Sequence, residues 1–171
     1  MKNVKVYLFI LLLLFISGCM SSGTKPLEPI IWQKVFGGDY YDFAFSVDVS
    51  NDGGYIVAGK TLSYGAGGSD AYILKLDANG NKLWEKFYGG SADDIIYSIL
   101  QLDDGSYIGV GETYSMGEGN ADFYVLKLKQ DGDADWVKSF GGINADIANS
   151  IAKLNDGYIL AGYTTSFGAG G

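Results

Sequence analysis

The acidic residues have the widest scope for chemistry in this chain, because it contains no histidine and a single cysteine. Asp131, Asp133 and Asp135 alternate within five residues, and calcium-binding loops present their oxygen ligands at such a spacing. The glutamate that completes a calcium loop is missing, and a similar stretch earlier in the chain has Asn79 and Asn81 at matching places. We therefore expect a solvated hairpin here rather than a metal site, and we expect no cofactor.

General acid-base catalysis needs two carboxylates that face each other across a substrate. Asp93 and Asp94 are sequence neighbours, as are Asp103 and Asp104, and neighbours on a strand point to opposite faces. The chain also lacks a nucleophile elbow, zinc-ligand spacing and a phosphate loop. We expect a protein that is not an enzyme; the alternative left open is an envelope enzyme acting on polysaccharide through carboxylates.

Three copies of one sequence unit account for the chain after its first thirty residues. The copies span residues 31–83, 84–135 and 136–171, and the third is shorter than the others. A residue that recurs in every unit suits a scaffold, so we expect the tryptophans to pack between units and the aspartates to cap turns. These recurring positions are Trp32, Trp84 and Trp136, and Asp42, Asp94 and Asp146.

The pattern within each unit predicts strands and no helix. Short apolar or alternating runs are separated by turn residues, which indicates an all-β chain. Asn-Gly and Asp-Gly pairs predict tight type I′ hairpins, and in a meander the longer glycine-rich connections then share the opposite end. The strands predicted for the first unit are 31–36, 43–50, 55–62 and 71–77.

A meander of four strands in about 50 residues, repeated in tandem, is typical of a β-propeller blade. The motifs are W-x-K-x-[FY]-G-G-x3-D, D-G-[GS]-Y-I-x3-G-x-T-x-S and D-x-[YF]-x-L-K-L. A chain with these motifs resembles the bacterial and archaeal secreted β-propeller repeat proteins, many of which are lipoproteins. The resemblance covers 32–171 and implies an extracytoplasmic propeller.

The number of units is small for a propeller, which closes with about 4 to 8 blades. The units predict eleven strands, so we expect an open arc or a fragment of a larger propeller; a fragment without function of its own is an alternative to the binding role. A three-fold β-trefoil or β-prism is the alternative, and self-assembly of arcs into a ring is a third possibility. An arc would expose unpaired strand edges, through which we expect self-association.

The residues at the amino terminus predict export to the cell envelope. Lysines precede an apolar run too short to span a bilayer, and Ile16-Ser17-Gly18-Cys19 resembles a bacterial lipobox. We expect 1–18 to be a signal peptide, Cys19 to carry the lipid and 19–30 to form a flexible tether. The membrane would be the outer membrane, or the outer surface of the cell membrane in a single-membrane cell.

The formal net charge of -8 argues against nucleic acid as a partner. The expected function is that of a binding or scaffold module, with a glycan or protein ligand on the long glycine-rich loops. Aromatic residues that differ between units are the candidate ligand contacts. They are Tyr40, Tyr41, Tyr64, Tyr114 and Phe167.

Overall fold

The computed structural model describes residues 32–155 and 157–167. Within these ranges the chain forms ten β-strands and no helix. The strands are β1 (Asp42–Val49), β2 (Tyr55–Thr61), β3 (Asp70–Leu76), β4 (Lys82–Tyr88), β5 (Asp94–Gln101), β6 (Tyr107–Thr113), β7 (Asp122–Leu128), β8 (Ala134–Phe140), β9 (Asp146–Leu154) and β10 (Gly157–Thr164).

The strands form three antiparallel sheets in chain order. The first sheet is β1-β2-β3-β4, the second is β5-β6-β7-β8, and the described part of the third is β10-β9. Every hydrogen-bonded pair is antiparallel and joins consecutive strands. The predicted all-β fold of tandem four-stranded blades is confirmed.

In the second and third sequence units, the strand that carries the tryptophan is the last strand of the preceding unit's sheet. Trp84 lies in β4 of the first sheet and Trp136 in β8 of the second, because a short hairpin pairs each of these strands with the strand that precedes it. In the corresponding segment 32–36, only Lys34 makes a bridge. The strand predicted at 31–36 is therefore not a regular strand in its described part.

The tight hairpins are not the predicted type I′ turns. In the β3–β4 hairpin, Gly80 N donates to Asp77 O at 3.0 Å and Asp77 N donates to Asn81 O at 2.9 Å. Gly80 has φ 74°, and no described residue other than glycine has a positive φ. This is a three-residue loop with a type I turn and a glycine bulge, since a type I′ turn would need a positive φ at two central residues. The turns at Gly53, Gly105 and Gly132 are alike.

The core lies between successive sheets. Ile56 and Ile73 of the first sheet pack with Ile99, Tyr107 and Leu126 of the second. Burial of each such side chain contributes about 1.5–3 kcal/mol to stability. The three sheets stack in chain order and do not close on one another, so the described residues form an open arc and not a three-fold closed body.

Candidate functional site: the long-loop face

Two kinds of connection lie at opposite ends of the sheets. The tight turns occupy one end, and the longer connections meet at the other, as the meander predicts. Tyr40 N donates to Ser63 Oγ at 2.9 Å, and Ser69 N donates to Asp93 Oδ1 at 2.6 Å. We call this end the long-loop face; it comprises residues 37–41, 62–69, 89–93, 114–121, 141–145 and 165–167.

A buried aspartate at the start of the first strand of each sheet organises these loops. In the second sheet, Thr113 Oγ1 donates to Asp94 Oδ1, while Ser115 Oγ and Gly90 N donate to Oδ2 at 2.7 Å and 2.8 Å. One carboxylate therefore joins two loops and the end of a strand. The corresponding acceptors and donors are Asp42 with Gly38, Thr61 and Ser63, and Asp146 with Gly142 and Ser166.

A second buried aspartate begins the third strand and faces the first one of the next sheet. Ala66 N and Gly67 N donate to Asp70 Oδ2 at 3.1 Å and 3.3 Å. Gly89 lies between Asp70 and Asp94: a Cβ there would overlap Asp70 Oδ1 and come within 2.7 Å of Asp94 Oδ2. The next junction repeats this arrangement with Asp122, Gly141 and Asp146.

The electrostatics of these carboxylates follow from burial and from their neighbours. Burial raises the pKa of Asp70, and the charges of Asp94 and Asp93 act in the same direction. Burial also raises the pKa of Asp122, with a further contribution from Asp146. Burial opposes ionisation of Asp146 too, but donors such as the Ser166 hydroxyl outweigh it and lower the pKa of that carboxyl. Asp70, Asp94, Asp122 and Asp146 are all 2% exposed or less, so these four carboxylates are shielded from solvent.

The five aromatic residues that the sequence suggested as ligand contacts are exposed at this face. Tyr64 is packed at its base, since its ring stacks on Phe87 with centroids 4.7 Å apart, and its hydroxyl donates to Gly37 O at 3.4 Å. Tyr41 stacks on Phe43 at 6.3 Å. The structure does not bring the rings into one cluster but spreads them over three loop groups. Those exposed rings are Tyr40, Tyr41, Tyr64, Tyr114 and Phe167.

Sequence reasoning missed an aromatic row that begins at Tyr41 and continues along β1. Phe43 stacks on Phe45 at 6.1 Å, and Phe45 contacts Tyr97 of the next sheet at 5.4 Å. The pairing register shifts at Phe45 and at Tyr97, and such bulges re-aim a side chain. Tyr97 OH donates to Glu112 Oε1 at 2.6 Å. The only signal in the sequence is an aromatic residue at the same place in two units.

The recurring tryptophans pack on the faces of the sheets, away from the long-loop face. Trp84 meets Tyr107 of the second sheet edge-on at 5.9 Å, and Trp32 meets Tyr55 of the first sheet in the same way at 5.7 Å. Trp136 packs against the core between the second and third sheets. The rings of Trp84 and Trp136 lie in the junctions between sheets, and Trp32 packs on the outer face of the first sheet, so none of the three lies among the long loops.

Each carboxylate of the acidic hairpin has a partner on a lysine or on the hairpin backbone. Asp133 pairs with Lys86 at 2.7 Å, Asp135 pairs with Lys127 at 3.5 Å, and Asp131 Oδ1 accepts a hydrogen bond from Asp133 N. Among the described residues, no three His, Cys, Asp or Glu side chains are grouped so that they could hold a metal ion. The carboxylates of this hairpin instead stabilise the turn and its contacts with lysines.

The predicted signal peptide, the lipid-bearing Cys19 and the tether at 19–30 lie outside the described residues. The part of the chain that the structure describes contains no helix with the length and hydropathy that a membrane crossing needs.

Comparison with known families agrees with the repeated sheets. The family model described as "Domain of unknown function (DUF5122) beta-propeller" matches residues 50–82 and 102–135. Both matches run from the first tight turn of a sheet, through its second and third strands, to the next hairpin. A search of curated proteins found no match. The matched repeats and the four-stranded meanders together identify a domain of β-propeller-type repeats.

Proposed function

We propose that this chain is a lipid-anchored binding or scaffold module of the cell envelope whose long-loop face binds a basic segment of a partner protein. The observation that carries the proposal is a set of exposed aromatic rings on loops that buried aspartates hold in place. Loops on a rigid β-scaffold are a common site of recognition.

The composition of the long-loop face favours a polypeptide ligand. Its loops are built mainly from Tyr, Ser, Gly and Asn, with Met116, Ile143 and Phe167 exposed among them. Antibody paratopes use the same combination, in which tyrosines supply contact area at low entropic cost and small polar residues supply adaptable hydrogen bonds.

The charge of the face favours a basic partner. Asp39, Asp93 and Glu118 are exposed there, and none of the loop residues is a lysine or arginine. A surface with one sign of charge raises the association rate of an oppositely charged partner, and this effect weakens as salt is added.

The carboxylates at this end support binding rather than catalysis. Asp70 and Asp94 approach each other from opposite sides of Gly89, but both are buried and already accept hydrogen bonds from the loops. A glycoside-cleaving pair must leave room for a sugar between its carboxyl groups. The proposal is therefore a binding module that is not an enzyme.

The anchor in this proposal is lipid on Cys19, supported by the lipobox-like residues that precede it. Mass spectrometry of the mature amino-terminal peptide should find an acylated cysteine, and Cys19→Ala should move the chain from the membrane fraction to the soluble fraction. An unmodified Cys19 in the mature protein would contradict the anchor and leave the binding proposal standing.

The binding proposal is tested with a random peptide-display library and the full chain in detergent. We expect enrichment of peptides that combine Lys or Arg with apolar residues, and an increase in Kd of at least about tenfold when Tyr40, Tyr114 and Phe167 are replaced together by alanine. Binding should also weaken between 50 mM and 500 mM salt, because added ions screen exposed charges.

Tyr158→Ala is the matched control. Tyr158 is exposed to a similar degree as Tyr114 but lies beside the β9–β10 turn, at the opposite end of the sheet, so its removal should leave peptide affinity unchanged. A glycan array run in parallel distinguishes the other ligand class. Glycan binding that is lost in the triple variant would replace the polypeptide with a carbohydrate, and absence of binding in both screens would refute the function.

A further inference from the structure

Equivalent positions in the three sheets differ sharply in exposure. Ile56 in β2 is 0% exposed and Ile108 in β6 is 3% exposed, whereas Ile159 at the matching place in β10 is 56% exposed. On the first strand of each sheet, the exposed residue belongs to the first sheet instead of the third. Val47 of β1 is 47% exposed, but Ile99 of β5 and Ile151 of β9 are 3% and 7% exposed. The uncovered side chains thus lie at the two ends of the stack.

These exposed side chains belong to the two halves of an interface that occurs twice within the molecule. Between the first and second sheets, Ile56 packs against Ile99 in one core cluster. Between the second and third sheets, Ile108 packs against Ile151 in another. Ile159 of the third sheet occupies the position of Ile56 and Ile108. Val47 of the first sheet occupies the position of Ile99 and Ile151.

A hydrogen bond from a backbone N–H to a serine hydroxyl marks the same junctions. Ile99 N donates to Ser46 Oγ at 3.2 Å, and Ile151 N donates to Ser98 Oγ at 3.4 Å. Each bond joins the first strand of a sheet to a serine on the first strand of the sheet before it. In the third sheet, the serine equivalent to Ser46 and Ser98 is Ser150, which is exposed on β9. In the first sheet, the donor equivalent to Ile99 N and Ile151 N is Val47 N.

We propose that two copies of this chain associate head to tail, with the first sheet of one copy packing on the third sheet of the other. The exposed Val47 and Ala44 of one copy contact the exposed Ile159 and Ala161 of its partner, as Ile99, Ile96, Ile56 and Ala58 pack at the equivalent positions between the first two sheets. Val47 N donates to Ser150 Oγ across the interface. The contact reproduces the junction that the molecule already builds between its own sheets. It is heterologous, so it continues into a ring or a filament according to the rotation between copies.

The outer strands contribute less to this contact than the first and second strands do. Trp32 and Phe36 already cover the outer part of the first sheet, where Val57, Tyr72 and Leu74 are buried. The surface available to a partner is therefore the part near β1, and the replacements that test the interface are placed there and on β10.

The test compares sedimentation velocity of the full chain and of two charge variants in a mild detergent. Val47→Lys places a charge on the first-sheet surface only, and Ile159→Lys places one on the third-sheet surface only. The wild-type chain should self-associate as its concentration rises, and either replacement should raise the dissociation constant by at least about tenfold, because a lysine would be buried without a counter-charge.

A mixture of the two variants gives the decisive result. The Val47→Lys copy keeps an intact third-sheet surface and the Ile159→Lys copy keeps an intact first-sheet surface, so the mixture should form one-to-one heterodimers that grow no further. Leu83→Lys, at an exposed position of β4, is the matched control and should associate like the wild type. A chain that stays monomeric, variants that associate normally, or a mixture that forms no heterodimer would each overturn the proposal.

Discussion

The indole ring of Trp84 lies on Gly132, so close that a Cβ at Gly132 would be 2.9 Å from the ring carbon Cε3. Trp84 belongs to the last strand of the first sheet, whereas Gly132 is the turn glycine of a hairpin in the second. Tyr88 of the first sheet also donates a hydrogen bond to Gly132 O. Trp32 and Gly80 repeat the contact one junction earlier. The hairpin glycine therefore permits the turn and also leaves room for a tryptophan ring to pack against it.

Gly132→Ala should lower the free energy of unfolding by more than Gly53→Ala does. Both glycines have a positive φ, 86° and 79°, but a Cβ at Gly53 would meet nothing within 4 Å. Gly53→Ala then measures backbone strain alone, about 1 kcal/mol. Gly132→Ala adds overlap with Trp84, about 1–3 kcal/mol more. Urea unfolding of both variants checks the difference, and equal losses would contradict the packing contact.

Asp94→Ala should destabilise the chain by about 2–4 kcal/mol. The replacement leaves the Thr113 hydroxyl, the Ser115 hydroxyl and Gly90 N without their acceptor at a buried site, and each orphaned donor costs about 1–3 kcal/mol before relaxation. Asp103→Ala is the control, because the Asp103 side chain is 87% exposed and pairs with Lys153 at the surface. Its cost should be less than about 1 kcal/mol, and a comparable loss in both variants would contradict the role given to Asp94.

Asp70→Asn should reduce the loss of stability that accompanies rising pH. Burial raises the pKa of Asp70 above its ordinary value of 3.8, and Asp94 and Asp93 add to the effect. At a pH between 3.8 and the raised pKa, Asp70 keeps its proton in the folded chain but has released it in the unfolded chain. The stability that Asp70 contributes is therefore full below pH 3.8 and is lost as pH rises through the pKa of the folded state. Urea unfolding from pH 3 to pH 7 should show the variant gaining on the wild type as pH rises. A constant difference between the two chains would contradict the prediction.

Tyr40→Ala and Tyr64→Ala should differ in their effect on folding. Tyr40 is 70% exposed, and its replacement should change the free energy of unfolding by no more than about 0.5 kcal/mol. Tyr64 stacks on Phe87, and an aromatic pair contributes about 0.5–1.5 kcal/mol beyond the area it buries. Thermal melting compares the two variants. If Tyr64→Ala were as stable as the wild type, the stacked ring would be free to contact a ligand.

Local patterns were sufficient to predict most strand bounds. The runs predicted at 43–50, 55–62 and 71–77 agree with β1, β2 and β3 to within one residue at each end, because alternation and turn residues act over a few neighbours. The type I′ turns were predicted wrongly. Asn-Gly is compatible with both classes of turn, and the bulged form is distinguished only by the φ angles and the hydrogen bonds of the closed hairpin.

The candidate site was predictable in its position but not in its detail. The meander order places the long loops at one end, which is enough to bring Tyr40 and Tyr64 to the same face. The contact of Phe45 with Tyr97 depends on two bulges and on the packing of two sheets. A bulge is defined by the pairing of two strands, so the amino-acid sequence of one strand alone does not predict it.

The amino-acid sequence by itself determined the period of the units, the all-β class and the order of strands, since each of these follows from short-range spacing. Only the tertiary structure decided where one sheet ends and the next begins, because a tandem repeat has the same period wherever its units are divided. The hairpins at Gly80 and Gly132 settle that division by attaching each tryptophan strand to the preceding sheet. The same packing decided that Asp70 faces Asp94, since only the stacking of two sheets brings side chains 24 residues apart to the two sides of Gly89.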